Sequence, residues 1–352
     1  MPAERPTLAF RARKIPAVAA SRSGLRALAL RGEAVVFDLA AGGEALRQAC
    51  ENARGLGVPV WGWIEVGRDE AAAEAHPEWM HAPQHPEWLQ AFPDWSGGPT
   101  ALVAPWICVN NRAAFNYALE RVRALVQNAP PLEGLFLNDI QGPPAGCGCG
   151  NVLCRSWDNS PGEKIAPTPY ANPDVFFPQV FWHACAHALV DTLPISRICP
   201  IICGECEIGV TLGGVESPDE QLGSCRGIPC ARPCAQVYWP GLVRALAAER
   251  GGPSAVGLLT PYKLFGRDVP LYGDTAAWVG ASVTHYREYD PAAQVIAVTQ
   301  GWDVTPEELA AQIEQAASNG AWGTLVLEEP LDQSWWPAAP PADYAPIVPP
   351  VS

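Results

Sequence analysis

The sequence predicts a (β/α)8 barrel of the TIM type, with long cysteine-rich loops on the C-terminal face of the strands. Three observations carry that reading. Eight short apolar runs alternate with helix-like segments, the count and order of a closed parallel barrel. No glycine-rich phosphate loop follows the first run, as a dinucleotide-binding open sheet would place there. The three longest connections all leave the C-terminal ends of predicted strands, where barrel active sites lie.

The first run, EAVVFDLA from Glu33, leads into the helical segment GEALRQACENARGLG. VPVWGWIEV from Val58 is the second and TALVAPWIC, ending at Cys108, the third. The helix after it repeats Phe115, Leu119, Val122 and Val126 at helical spacing. GLFLND from Gly134 is fourth, SRICPIIC fifth, AVGLLTPY sixth and AQVIAVTQ seventh. The helix after the seventh run should start at Thr305 as N-cap, with Pro306 in its first position and Glu308 as capping-box partner, and stop at Gly320. AWGTLVLEEP is eighth. The reading therefore has an N-terminal extension over 1–30, a barrel over 30–330 and a proline-rich tail over 331–352.

Composition narrows the function. The 352 residues are 48% hydrophobic, enough for a substantial core, and carry a net charge of −14. That charge repels phosphate backbones and anionic lipid, so neither nucleic acid nor membrane is an expected partner. A small-molecule or oligosaccharide ligand fits better. No run is long and apolar enough for a transmembrane helix. Arg11, Arg13 and Lys14 interrupt the apolar stretch a signal peptide would need, so the expected location is the cytoplasm, or outside the cell if the cysteines pair as disulfides.

The order of motifs resembles the glycoside-hydrolase-like barrels. A His85-Pro86-Glu87-Trp88 loop is followed by a strand ending Trp106-Ile107-Cys108, then by a Gly134-to-Asp139 strand and a short cysteine cluster. The seventh and eighth units, VTQGWDVTPEELAAQIEQAASNGAWGTLVLEEP, are also similar to the closing segment of such barrels. The resemblance covers separate patches; Val109 stands where proline is usual, and the cysteine-rich insertion after the fifth strand has no counterpart. It implies a carbohydrate pocket more firmly than turnover.

Glycoside hydrolysis needs two carboxyl groups across the sugar, one to protonate the leaving oxygen and one to attack or to activate water. Asp139 ends the fourth strand, and Glu205 and Glu207 follow the fifth. This placement is similar to that in α-amylase-like barrels, where the strand-four Asp is the nucleophile and the strand-five Glu the acid. Asn138 stands beside Asp139; Asp38, Glu65, Asp303 and Glu328 stand at other strand ends, and Trp61, Trp63, Trp106 and Trp302 are candidate sugar platforms, with His85 a further ligand-binding candidate. An Asp after a strand also commonly caps a turn, and a Trp is at least as often core. The alternatives are a non-catalytic carbohydrate-binding barrel with a structural metal, and a metal- or iron–sulfur-dependent enzyme.

Ten of the twelve cysteines fall between 147 and 234. Closely spaced thiolates suit tetrahedral zinc. Cys147, Cys149 and Cys154 with Cys108 form one candidate structural zinc site; Cys203 and Cys206 with two of Cys225, Cys230 and Cys234 form another. Disulfides are the competitor. The spacing Cys199-x3-Cys203-x2-Cys206 also matches a radical-SAM 4Fe–4S triad. His183 and His187, at i and i+4, can clip a metal, although partly buried structural histidines are the simpler reading.

Overall fold

The computed structural model describes residues 7–80, 107–109, 111–140, 173–204, 224–225, 228–229, 235–260 and 276–329. Eight strands close a parallel barrel: β1 (Phe10–Lys14), β2 (Ala34–Asp38), β3 (Val60–Glu65), β4 (Gly134–Asn138), β5 (Ile198–Cys203), β6 (Ala255–Thr260), β7 (Gln294–Gln300) and β8 (Gly323–Leu327). They follow one another around the cylinder in chain order, and β1 closes it against β8 in the register Phe10↔Gly323 to Lys14↔Leu327. The helices are α1 (Arg22–Arg31), α2 (Gly43–Gly55), α3 (Glu70–Ala75), α4 (Arg112–Asn128), α5 (Pro173–Leu189), α6 (Ala235–Glu249), α7 (Ala277–Tyr289) and α8 (Pro306–Ser318). A two-stranded antiparallel pair, Ser224–Cys225 with Ile228–Pro229, lies outside the barrel sheet.

Two expectations are corrected. The barrel starts at Phe10 rather than near residue 30, because FRARK is a strand. Alternation turns Phe10 and Ala12 into the barrel interior and Arg11 and Arg13 outward. Arg13 is then satisfied by Glu33 and Glu328, and Arg11 by the carbonyl of Arg31. The other correction concerns TALVAPWIC, whose expected place beside VPVWGWIEV in the barrel is taken by GLFLN. β3 pairs directly with β4, Trp61↔Gly134 through Glu65↔Asn138. Residues 100–106 lie outside the described residues. Ile107 instead makes an antiparallel bridge to Met80, its N–H bonds the Gly67 carbonyl at 2.7 Å, and the Cys108 N–H bonds that of Trp79 at 2.9 Å.

The interior of the cylinder is aromatic at its base. The Phe10 ring lies 4.8 Å from Trp61 and stacks on Trp322 at 5.4 Å, and Trp61 lies 5.2 Å from Phe136. Trp61 fits because the neighbouring position on β4 is Gly134; a Cβ there would overlap the indole. A second, larger apolar cluster lies between barrel and helices, where α4 buries Ala114, Ala118, Val122 and Val126. Each of these apolar side chains contributes about 1.5–3 kcal/mol when fully removed from water, less for alanine. The α8 helix starts as expected. The Thr305 hydroxyl accepts from the Glu308 N–H at 3.2 Å, and the Glu308 carboxylate accepts from the Thr305 N–H at 2.7 Å. Among the described residues no helix is long and apolar enough to cross a membrane.

Candidate active site

Strand alternation sets the upper rim of the cylinder. Interior-facing positions run Trp61, Trp63 on β3 and Phe136 on β4, so the next in phase, Glu65 and Asn138, point into the mouth. The β3–β4 register puts these two side by side. Asn138 Nδ2 donates to Glu65 Oε2 at 2.7 Å, and the indole N–H of Trp63 donates to Glu65 Oε1 at 2.7 Å. Both carboxylate oxygens of Glu65 are thereby fixed.

Asp139 follows at once with φ 60°, a left-handed conformation that Asp tolerates better than most residues. The turn aims its side chain back at Glu65, and the two carboxyls hydrogen-bond to each other. Such a bond requires a proton on one of them. Arg68, from the loop after β3, donates through Nε to Asp139 Oδ2 at 2.6 Å and approaches Glu65 Oε2 through Nη2 at 3.5 Å.

Electrostatics displaces the two carboxyls in opposite directions. Burial would raise Glu65, but the hydrogen bond from Asp139, the Arg68 charge, and donation from Trp63 and Asn138 together hold it below the usual carboxylate range. Burial also raises Asp139, and there the charge of Glu65 adds to it; Arg68 opposes without prevailing, so Asp139 sits well above the usual range. The two carboxyls are thus displaced in opposite directions, Glu65 down and Asp139 up, and their side chains are 20% and 9% exposed.

An outer layer holds the end of β3 in place. Arg121 of α4 donates from Nη1 to the Glu65 carbonyl at 2.9 Å and pairs through Nε with Asp69 at 3.0 Å. Asp69 also accepts from the Tyr117 hydroxyl at 2.9 Å and caps α3 through the Ala72 N–H. The tetrapeptide His-Pro-Glu-Trp occurs a second time, at residues 76–79, and this copy forms a single turn with the His76 and Trp79 rings stacked at 3.6 Å.

The other candidates separate clearly. Asp38 ends β2 in phase with the mouth. Its carboxyl is raised by burial, against the N–H of Ala40, which it accepts at 2.9 Å, and the charge of Lys14. Trp302 is partly buried against the interior cluster and stays a candidate platform at the rim. Trp63 does not offer a ring to a sugar: it is 0% exposed, Lys14 Nζ stands 5.1 Å from its ring centroid, and its indole serves Glu65. Trp61 is core, deeper in the cylinder. Glu328 is drawn to the outward-facing Arg13 rather than to the mouth. Asp303 lies in the turn after β7 with φ 52°.

Glu205, Glu207, His85 and Trp106 lie outside the described residues, as do Cys147, Cys149, Cys154, Cys206, Cys230 and Cys234 and the side chains of Cys203 and Cys225. Of the nine expected zinc ligands only the Cys108 side chain is described, and it is buried. The iron–sulfur triad is excluded by strand geometry. Cys199 and Cys203 both belong to β5, and four residues of strand span about 13 Å. Cys199 is an interior core thiol, pushed by burial up to about 12.

Sequence reasoning named Asp139, Glu65 and Asn138 but did not join Asp139 to Glu65. It missed Arg68, Asp69, Tyr117, Arg121 and Lys14. An Arg-Asp pair three residues past a strand-end Glu was the available signal.

No family model matches the chain, and no curated protein is similar to it in sequence. Solved structures are similar in fold. A polyextremophilic β-galactosidase from the Antarctic haloarchaeon Halorubrum lacusprofundi overlays 90% of this chain at TM-score 0.56 and 12% identity. The chain shares the (β/α)8-barrel fold with that galactosidase. It spans about half the length of that galactosidase, 52% of it. A psychrophilic family 10 endo-β-1,4-xylanase and the catalytic core of a xylanase A overlay 90% of the chain each, at 9% and 11% identity, with TM-scores of 0.41 and 0.39, too loose an overlay to argue from.

Proposed function

We propose that the protein is a glycoside hydrolase in which Asp139 is the general acid. The observation that carries this is the clustering of Glu65, Asp139 and Arg68 at the strand ends, with Trp63 and Asn138 donating to Glu65 and the two carboxyls displaced in opposite directions. A glycosidase acid must hold its proton near neutral pH and stand at the mouth, and two carboxyls with oppositely displaced titrations are how such an acid is made. In this reading Glu65 is a positioning residue. Its charge keeps the proton on Asp139, while Trp63, Asn138 and Arg68 keep Glu65 ionised.

The touching pair cannot also straddle the scissile bond. Carboxyls that act on opposite sides of a sugar stand about 5–5.5 Å apart in retaining enzymes and about 6.5–9.5 Å apart in inverting ones. The second carboxylate must come from elsewhere on the rim. Glu205 is the choice, with Glu207 and Asp38 as rivals. Assigning the proton to Asp139 reverses the roles taken from the α-amylase-like placement: the strand-five glutamate becomes nucleophile or base. Trp302 supplies a platform for the ring. The clustered thiols at 147–154 and 203–234 are proposed to hold structural zinc that pins the loops around the mouth, checked by metal analysis of the purified protein.

The test uses aryl glycosides of graded leaving-group ability. Asp139→Asn should lose about 10²–10⁴ in rate on poor leaving groups and far less on activated ones, which depart without protonation. Equal losses on both would overturn the acid assignment. Glu205→Gln, Glu207→Gln and Asp38→Asn rank the candidates for the second carboxylate, which should be needed for all substrates.

The same contact between Glu65 and Asp139 favours a second reading, a non-catalytic carbohydrate-binding barrel whose carboxyls only bond hydroxyls. Saturable oligosaccharide binding by calorimetry, with no product after prolonged incubation, selects it.

A further inference from the structure

We propose a divalent transition-metal site, of the zinc class, at the base of the barrel, formed by His183, His187 and Glu249. It is independent of the proposed hydrolase chemistry. The ligating atoms of the three residues all lie within 4.8 Å of one another. His183 and His187 stand one turn apart on α5, with ring centroids 4.3 Å apart, so one face of the helix presents both. Glu249 is the last residue of α6, which packs beside α5. Both helices run back from the mouth, so their last turns lie at the N-terminal end of the strands, away from Glu65 and Asp139.

The chemistry suits zinc, nickel or cobalt rather than calcium or magnesium. Two imidazoles and a carboxylate are borderline-soft donors, and three protein ligands leave a fourth tetrahedral position for water. His183 is partly buried, while His187 and Glu249 are exposed at the helix ends. The barrel fixes both helices, so little chain entropy remains to be lost on binding.

Arg250 supplies a further point. Its Nη2 lies 2.7 Å from His187 Nδ1, so this ring nitrogen accepts from a guanidinium. The exposed arginine is a cation in the place a metal would take, and coordination through Nδ1 must displace it. The site is thus a cation-binding cradle closed by the chain's own side chain, and a metal there would tie α5 to α6 at the face where barrels are held together rather than where they act.

Cobalt(II) titration of the whole, reduced protein tests this, because cobalt reports its ligands. Imidazole and carboxylate ligands give visible d–d bands without thiolate-to-cobalt charge transfer, so cysteine sites are told apart. The wild type should bind one equivalent with that thiolate-free spectrum. His183→Ala/His187→Ala should lose that equivalent while keeping its circular dichroism. Glu249→Gln, a milder change on the exposed surface, should weaken it by about tenfold or more. Arg250→Ala should tighten it, by removing the competing cation. Identical stoichiometry and spectra in the wild type and the double variant would overturn the proposal, as would the absence of any thiolate-free equivalent in the wild type.

Discussion

Trp63 and Glu65, two residues apart on β3, face the same way, and the indole N–H of Trp63 donates to Glu65 Oε1 at 2.7 Å. A fully buried tryptophan is thereby spent on orienting a carboxylate. Trp63→Phe removes the donor and leaves a largely buried charge short of one partner. The expected loss at pH 7 is about 1–3 kcal/mol, read by urea unfolding. Because the Glu65 titration is displaced downward, the hydrogen-bond share of that loss is present above the unfolded carboxylate value of about 4.3 and fades as pH falls through the folded value. A loss independent of pH would assign the whole effect to packing.

Asp139 has the opposite sign. Its folded-state titration is raised, so the unfolded chain gives up this proton first, and stability declines as pH climbs from about 3.9 toward the folded value. Asparagine keeps a donor toward Glu65 and an acceptor toward Arg68, with no proton to lose. Asp139→Asn should therefore be more stable than the wild type at pH 8, with a smaller margin at pH 5, in parallel urea titrations at both pH values.

Activity should follow the same group. The rate requires Asp139 protonated and must fall as pH rises through its raised value, giving an alkaline limb in kcat/KM on substrates with poor leaving groups. Arg68→Met removes the opposing charge, raises both carboxyls, and should move that limb further toward alkaline pH.

Arg68→Met also removes the cation from a buried pair. Arg68 is 8% exposed and bonds Asp139 at 2.6 Å. Breaking a buried ion pair from one side costs about 3–5 kcal/mol; here the cost should lie at the lower end, because the upward displacement of Asp139 weakens its ion pair with Arg68. Denaturant midpoints at pH 7 check this.

Thr305→Ala, far from the mouth, should cost about 0.5–2 kcal/mol by removing the capping hydroxyl and leave turnover unchanged. Chemical unfolding with an activity assay on the same sample reads both.

The fold was legible where local chemistry and tertiary role agree. The α8 cap was readable to the residue, since Thr305, Pro306 and Glu308 answer to the backbone alone. β1 was hidden because three of its five residues are charged, and the partners of Arg13, Glu33 and Glu328, lie 20 and 315 positions away. Conversely, TALVAPWIC reads as a buried strand by composition, yet the hydrogen bonds of Ile107 and Cys108 go to the loop after β3. At the site, the strand-end acids were visible individually. Their pairing was not, because it depends on the direct β3–β4 neighbourhood and on a left-handed turn at Asp139.

The seam between Phe10–Lys14 and Gly323–Leu327 has a consequence for biosynthesis. The first strand of the barrel finds one of its two neighbours only when the barrel's last has been translated, more than three hundred residues later. Until then the incomplete sheet carries two unsatisfied borders, each able to recruit a foreign strand. The guanidinium groups of Arg11 and Arg13 along the waiting border are well placed to discourage such mispairing while the ring is still open.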